Sequence, residues 1–249
     1  MSITMKTSKY QKRFYRNWVY AGNLYREEII VKETDLQILT DRPLDKDFVL
    51  KKVKFYRDKI EEYINYKDRR FLTSLKPIAV ESAAHSIIKE MARQAKKANV
   101  GPMAAVAGAI AQYLGRDLLR KGYQEVIIEN GGDIFLKVSK PIKVGLYSGK
   151  TKILNKISLK IKPQDAPLGI CTSSGRVGHS LSFGCADSVV ILSKNASLAD
   201  GVATATANRV QKKSDLGRAI DFARSIKGIL GVVIILRNNL ASWGKLEFA

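Results

Sequence analysis

Hydrophobic and polar residues follow two periodicities along the first half of this chain, and each periodicity predicts one kind of secondary structure. In residues 24–41, LYREEIIVKETDLQILTD, partial alternation of β-branched residues predicts two short strands that turn near 33–35. In residues 45–67, apolar residues recur at helical spacing after an aspartate, which predicts an amphipathic helix. The apolar stripe of this helix would suit a homodimer.

Two more helices are predicted before the chain changes character. Residues 82–98, SAAHSIIKEMARQAKKA, carry an inward stripe of Ile87, Ile88, Met91 and Ala95. Residues 99–101 end that helix, and a third begins at Pro102, a residue favoured in a first helical turn. The third helix has almost no bulky side chain before Ile110. Its small residues would allow close backbone approach to a ligand or, equally, tight packing against a sheet.

From residue 125 onward, strand patterns separated by turn residues dominate. The segments EVIIEN, DIFLKVS, IKVGLYS, ISLKIKP and GICTSS resemble an antiparallel meander. They are followed by the strand DSVVILS, the helices SLADGVATATANRVQ and SDLGRAIDFARSI, the strand LGVVIILR and a last strand near WGKLEF. The chain is therefore predicted to be a single α+β domain over residues 1–249, with a mainly antiparallel sheet bracketed by helices.

Composition fits a protein with one large core in a reducing compartment. Of 249 residues, 45% are hydrophobic, which is enough for a core without disulfides. The two cysteines, Cys171 and Cys185, form no CxxC pair, and the N-terminus lacks the apolar region of an export signal. No segment approaches the ~20 apolar residues that span a bilayer. We expect a cytoplasmic protein without a membrane segment.

The charge adds one constraint on the ligand. With 43 Lys and Arg against 23 Asp and Glu, the net charge is +20, and such an excess attracts polyanions. The basic residues are spread along the predicted helices and a basic N-terminal arm at 1–20, and no nucleic-acid-binding signature accompanies them. We therefore expect this excess of positive charge to attract the phosphates of a small nucleotide and not a nucleic acid.

Two glycine-rich segments are candidates for binding the phosphates of such a nucleotide. Asn130-Gly131-Gly132-Asp133 lies between two strand patterns and could cradle a phosphate or ribose, or be an ordinary hairpin turn. The loop at 171–184 offers hydroxyls and glycines to a ligand, although polar loops of this kind are often only surface connectors. Its candidate binding residues are Thr172, Ser173, Ser174 and Gly175, and His179 is a candidate acid or base.

The segment LADGVATATAN carries the sharpest local signal. Asp200 and Thr204 are four residues apart, so they lie on the same side of a helix, and a carboxylate with a hydroxyl suits Mg²⁺. The alternative is that Asp200 caps the first turn and Thr204 bonds back to a carbonyl. Because the chain has only two histidines, a histidine-rich metal site is excluded.

In this order, VGPMAAVAGAIAQYL, ENGGDIF, CTSSGRVGHS, DSVVIL and LADGVATATAN resemble the signature blocks of the ApbE-like superfamily, over residues 100–249. The best-known members are FAD:protein FMN transferases, which use Mg²⁺ to cleave FAD and attach FMN to a Thr or Ser of a partner protein. The resemblance implies Mg²⁺ on Asp200, Thr204 and the carbonyl of Ala104. It also implies flavin nucleotide contacts at Ala104, Gly108 and the two glycine-rich segments.

The sequence also departs from those transferases. Ala107 stands where they carry a charged residue, Gln112 stands where an aspartate is usual, and their His-Ile-x-Asp-Pro block is reduced to the run from His179 to Ser182. An enzyme would use Asp200 for the metal and His179 for the acceptor. Two alternatives remain open, a binding module that has lost catalysis and a sulfur-handling protein that uses Cys171 and Cys185.

Overall fold

A computed structural model describes residues 19, 20, 22, 24–146, 157–174 and 184–249, and an eight-stranded antiparallel sheet forms its centre. From one edge to the other, its strands are β11 (Asn239–Gly244), β10 (Ile229–Leu236), β9 (Ser188–Ser193), β8 (Leu168–Ser173), β5 (Asp133–Lys137), β4 (Val126–Asn130), β3 (Thr34–Thr40) and β2 (Tyr25–Val31). A smaller antiparallel sheet has the order β1 (Val19–Tyr20), β6 (Ile142–Gly145) and β7 (Ser158–Ile161).

Helices cover one side of the large sheet. Within the described ranges they are α1 (Lys46–Tyr66), α2 (Arg70–Thr73), α3 (Ser86–Ala98), α4 (Val106–Arg120), α5 (Ala196–Ala207) and α6 (Leu216–Ser225). Short 3₁₀ helices span Pro102–Ala105, Pro163–Asp165 and Lys213–Asp215. The architecture is α+β with a mainly antiparallel sheet, as the sequence predicts.

Both faces of the large sheet are buried along its central strands. Ile128 and Phe135 pack against α4 and α5 on what we call the helix face. Their chain neighbours Ile127 and Leu136 pack against β6 and β7 on what we call the small-sheet face. Because successive side chains of a strand point to opposite faces, the register of each strand decides which of its polar residues meet the helices.

The predicted meander is wrong at β6 and β7. These strands leave the large sheet, and β5 pairs directly with β8. The reason lies in their alternation, since Ile142, Val144, Leu159 and Ile161 are buried while the residues between them are more exposed. A hairpin with one apolar face can cover the small-sheet face of the larger sheet, whereas the central strands are buried on both sides.

Several element limits differ from the predicted ones. Helix α3 begins at Ser86, after its cap His85, and the segment that starts at Pro102 is a 3₁₀ turn before it becomes α4. Strand β11 begins at Asn239, earlier than predicted, because β10 turns back immediately after Leu236. Asn99 ends α3 in the left-handed conformation, with φ of 56°, as expected of a stop signal.

The apolar stripe of α1 is used inside the chain. Val49 and Val53 pack into the main core, and Ile60 and Ile64 pack against α3 and α4. The stripe therefore gives no support to the expected homodimer. In the described part of the chain, no helix combines the length and apolar character needed to cross a membrane.

Candidate functional site

Polar residues of β4, β5 and β8 meet on the helix face. Asn130 ends β4, Asp133 begins β5, and Cys171 and Ser173 are alternate residues of β8. All four side chains are buried. The Asn130 Nδ2 donates to the Ala107 carbonyl at 3.1 Å, so this side chain contacts the start of α4. Strand alternation thus gathers one amide, one carboxyl, one thiol and one hydroxyl beneath the helices.

Asp200 reaches this cluster from α5. The α5 N-cap is Asn195, whose Oδ1 accepts from the Leu198 N–H at 2.8 Å, so the idea that Asp200 caps its own helix is wrong. Asp200 Oδ2 instead accepts from the Gly108 N–H at 2.9 Å. Gly108 lies in the first turn of α4, where amides lack partners in their own helix, so Asp200 caps α4 from outside.

Gly108 allows this contact because it has no side chain. A Cβ at this position would lie 2.4 Å from the Ala196 carbonyl oxygen and 2.9 Å from the Asp200 Cβ. The small residues of α4 therefore pack closely against α5, a neighbour that the sequence did not predict. An uninterrupted α-helix would direct the Gly108 N–H to the Ala104 carbonyl, which here lies in the preceding 3₁₀ turn and outside the α-helical ladder.

Burial makes the two carboxyl groups of the cluster hard to ionise. It raises the pKa of Asp200 to about 7, against an opposing effect of the Gly108 and Ala107 amides. Burial also raises the pKa of Asp133, and the nearby Asp200 charge raises it further. Two close carboxylates in a dry environment favour retention of a proton or uptake of a cation.

The raised pKa of Asp200 should make the stability of the metal-free protein depend on pH. Asp200 has an ordinary pKa of 3.8 when unfolded and about 7 when folded, so its stabilising contribution is complete below pH 3.8 and is lost as the pH rises through about 7. We expect the free energy of unfolding of Asp200→Asn to exceed that of the wild type by roughly 2–4 kcal/mol at pH 8, and this difference to narrow at pH 5, which lies between the two pKa values. Urea titrations with EDTA at both pH values measure this; a gap independent of pH would contradict it.

Cys171 lies close enough to both carboxyl groups to be affected by their charges. Its Sγ donates to the Ala196 carbonyl at 3.2 Å, and burial followed by the Asp133 and Asp200 charges raises its pKa. Cys185 is partly exposed, and its Sγ donates to Gln211 Oε1 at 3.3 Å. A buried thiol with a raised pKa is a poor nucleophile, which favours a structural role for Cys171.

Alkylation kinetics can test that role. In the native protein at pH 7.5, we expect iodoacetamide to modify Cys171 only at the rate of global unfolding, because its thiol is fully buried. Peptide mass spectrometry separates Cys171 from Cys185, and guanidinium-unfolded protein gives the reference rate. Rapid modification of native Cys171 would revive the sulfur-handling hypothesis.

The glycine pair forms the turn between β4 and β5. Gly131 and Gly132 have φ of 68° and 103°, values that favour glycine. The Gly132 N–H donates to Glu129 Oε1 at 2.6 Å, so this amide already has an acceptor. The hairpin interpretation is confirmed, and a phosphate-binding role for these glycines stays a prediction.

The residues predicted in β8 divide between the two faces. The Thr172 N–H donates to Asp133 Oδ1 at 3.2 Å, but the Thr172 side chain belongs to the small-sheet face by alternation. Ser173 is on the helix face, and its buried Oγ has no hydrogen-bond partner among the described residues. Ser174 follows the strand, while Gly175 and His179 lie outside the described residues.

The positioning roles of Asn195 and Gln112 were not predicted from the sequence. Asn195 Nδ2 donates to the buried Glu90 Oε1 at 2.5 Å, which ties the start of α5 to α3. Gln112 Oε1 accepts from the Ala196 N–H at 2.8 Å, which ties the same turn to α4. An asparagine before SLAD is a cap signal, but its link to Glu90 spans 105 residues and has no local sequence signal.

The model of a protein family described as AbpE bacteria matches residues 16–239. The chain belongs to this family. Two relatives cover most of its length. A UPF0280 protein of Methanococcus vannielii is 38% identical over 227 residues, covering 90% of this chain and 92% of its own. A UPF0280 protein of Methanobrevibacter smithii is 40% identical over 225 residues, covering 88% of this chain and 93% of its own.

Solved structures show that this AbpE family chain has the fold of ApbE proteins. The flavin transferase ApbE from Vibrio cholerae superposes with a TM-score of 0.58 at 14% identity, covering 88% of this chain and 96% of that one. The apo flavinyl transferase ApbE of Pseudomonas stutzeri gives 0.59 at 11% identity, covering 89% and 94%. At these identities the likeness concerns fold alone.

Proposed function

We propose that this protein binds FAD or a related nucleotide with Mg²⁺ at the Asp200 cluster and transfers its flavin-bearing phosphoryl group to a protein hydroxyl. The observation that carries the proposal is the contact of Asp200 and Asn130 with the first turn of α4, at 2.9 Å to the Gly108 amide and 3.1 Å to the Ala107 carbonyl, with the Asp133 carboxyl close enough to interact with the Asp200 charge. The ApbE fold and the ordered sequence blocks support the same reaction class.

The donor set fits a hard cation. Asp200 and Thr204 are one turn apart on α5, and both are nearly buried. The described residues contain no group of three or more His, Cys, Asp or Glu side chains placed to hold a metal, so a cation there would rely on hydroxyl, carbonyl, phosphate and water oxygens as well. Mg²⁺ commonly binds through one or two carboxylates and fills its remaining positions in this way.

We assign the metal-facing roles to Asp200, Thr204 and the Ala104 carbonyl, with the Asp133 carboxyl beside them. The Gly108 N–H fixes one oxygen of Asp200, so the orientation of this carboxylate is set before any ligand arrives. Mg²⁺ at this position would neutralise the charge that builds on the phosphates as the bond between them breaks. The net charge of +20 favours the approach of such anions.

In the proposed reaction, the acceptor hydroxyl oxygen of a Thr or Ser bonds to the flavin-side phosphorus of FAD. The bond between that phosphorus and the bridging oxygen breaks, and AMP leaves with the electron pair. The hydroxyl proton passes to a base, for which His179 is the candidate. The Ser173 hydroxyl, buried and unpartnered among the described residues, is a candidate contact for the nucleotide.

Turnover tests this proposal directly. Purified protein is incubated with FAD, Mg²⁺ and a Thr-containing acceptor peptide, and mass spectrometry follows FMN on the peptide while chromatography follows AMP. We expect equal amounts of both products with Mg²⁺ and neither with EDTA. Absence of both products with every acceptor, despite FAD binding, would instead favour the alternative, a flavin-binding module in which the reduced His179 segment has lost catalysis. Absence of both turnover and FAD binding would contradict the transferase proposal and the binding-module alternative alike.

A further inference from the structure

A cavity lies on the small-sheet face, away from Asp200. It has a volume of about 320 Å³, near the lower end of the range for small-molecule sites. Leu168 at the start of β8 and Leu192 near the end of β9 contribute to it, and both belong to the core between the two sheets. Asp200 and α5 cover the opposite face, so the cavity is separate from the proposed nucleotide site.

The walls of this cavity are apolar. Its aliphatic side chains come from β7, β8, β9, the start of β10 and the segment after β11: Leu159, Ile161, Leu168, Leu192, Leu230 and Leu246. Most of these side chains are buried in the core, whereas Leu230 is 43% exposed. A hydrocarbon group that replaced water here would gain the free energy of apolar burial.

The polar lining is basic. Its charged residues are Lys160, Lys194, Lys245, Asp165 and Glu247, which leaves a net charge of +1 at neutral pH. The Lys194 ammonium donates to the Asp165 backbone carbonyl, which keeps that cation near the cavity. The lining thus combines an aliphatic wall with an excess of positive charge.

The lysines differ in their pairing. Glu247 binds the Lys160 ammonium at 2.8 Å and also pairs with Lys162, and hydrogen bonds from these two lysines lower the pKa of Glu247 to about 2. Glu247 is therefore ionised and already paired. Within the described part of the chain, neither Lys194 nor Lys245 forms an ion pair, but the Lys194 ammonium is held by the Asp165 carbonyl, so Lys245 is the lysine of this lining that we expect to meet a ligand anion.

We propose that this cavity binds a small amphipathic carboxylate, with its hydrocarbon group against the leucines and its carboxylate at Lys245. A single available ammonium matches a monoanion better than a polyphosphate. The volume suits a short alkyl chain or one aromatic ring and not a dinucleotide. The proposal is independent of the reaction assigned to Asp200.

A ligand series with one tail and three head groups tests the proposal. Octanoate, octanol and octylamine are titrated into the full-length protein by calorimetry, with methyl NMR to locate the perturbed leucines. We expect octanoate to bind at least roughly tenfold more tightly than octanol or octylamine. The methyl chemical-shift changes that it causes should include those of Leu192 and Leu230. From butanoate to octanoate, affinity should rise about three- to fourfold per methylene until the cavity is full.

Three variants separate a built site from general adsorption. Lys245→Glu should lower octanoate affinity roughly tenfold and leave octanol binding unchanged, because only the charge is reversed. Lys140→Glu makes the same charge change at an exposed residue outside the cavity and should have little effect. Leu230→Trp, at a half-exposed position, should fill the cavity and abolish the binding of octanoate, octanol and octylamine.

The outcomes against the proposal are equally specific. No octanoate binding at millimolar concentration would overturn it, as would equal affinity for octanol or octylamine. Equal losses in Lys245→Glu and Lys140→Glu would reduce the effect to net charge. Unchanged thermal unfolding of the variants, which we expect because Lys245, Lys140 and Leu230 are exposed, shows that any loss of binding is not a loss of fold.

Discussion

Replacing Asp200 with asparagine is expected to lower Mg²⁺-dependent release of AMP from FAD by roughly 100-fold or more. The substitution keeps the shape of the side chain and leaves an oxygen that can accept from the Gly108 amide, so α4 should keep its external cap. It removes the negative charge that we expect to bind Mg²⁺. The loss should therefore appear in turnover and in Mg²⁺ dependence, measured with saturating FAD, and not in folding.

Asp221→Asn is the matched control for this variant. Asp221 is an exposed α6 residue, 59% accessible and paired with Arg224, so the same chemical change there should leave turnover unaffected. The Asp200 variant should meanwhile be more stable than the wild type at pH 8, since a buried charge is gone. Full turnover by a folded Asp200→Asn protein would refute the assigned role.

The second large effect concerns packing at Gly108. Gly108→Ala is expected to lower the free energy of unfolding by about 1–3 kcal/mol, although alanine favours helices. The new Cβ would lie 2.4 Å from the Ala196 carbonyl oxygen and 2.8 Å from its carbon, and these are backbone atoms that cannot rotate away. Urea unfolding measures the change, and FAD turnover should fall as well because α4 and α5 must separate.

Gly217→Ala provides the comparison within another helix. Gly217 lies in α6, and a Cβ there would meet no atom within 4 Å. This variant should gain about 0.5–1 kcal/mol from helix propensity alone. If Gly108→Ala were as stable as Gly217→Ala, the close contact of α4 with α5 would be disproved, and the geometry of the Asp200 cluster with it.

The types and order of the long elements were predictable because they depend on local periodicity. The stripe of α3 is buried as expected, and Asp45 caps α1. The pairing of β5 with β8 was not predictable in this way, since it joins residues more than thirty positions apart. The partial alternation of β6 and β7 contained a hint that they have one apolar face, but a pattern cannot say which surface that face will cover.

The candidate site shows the same division. The four-residue spacing of Asp200 and Thr204 was enough to place them on one side of a helix. The partner of Asp200 is the Gly108 amide, 92 residues away, and the sequence holds no local signal for it. Thr172 illustrates the opposite failure, since it was predicted by its block of hydroxyl residues while strand alternation turns its side chain to the small-sheet face.

The most direct test of the account is native mass spectrometry of the protein with FAD, with and without Mg²⁺. We predict one FAD and one Mg²⁺ on the wild-type chain, each retained better in the presence of the other, and neither retained on Asp200→Asn. Equal retention of both by Asp200→Asn, or an absence of any bound nucleotide on the wild type, would contradict the claim that the Asp200 cluster is the nucleotide site.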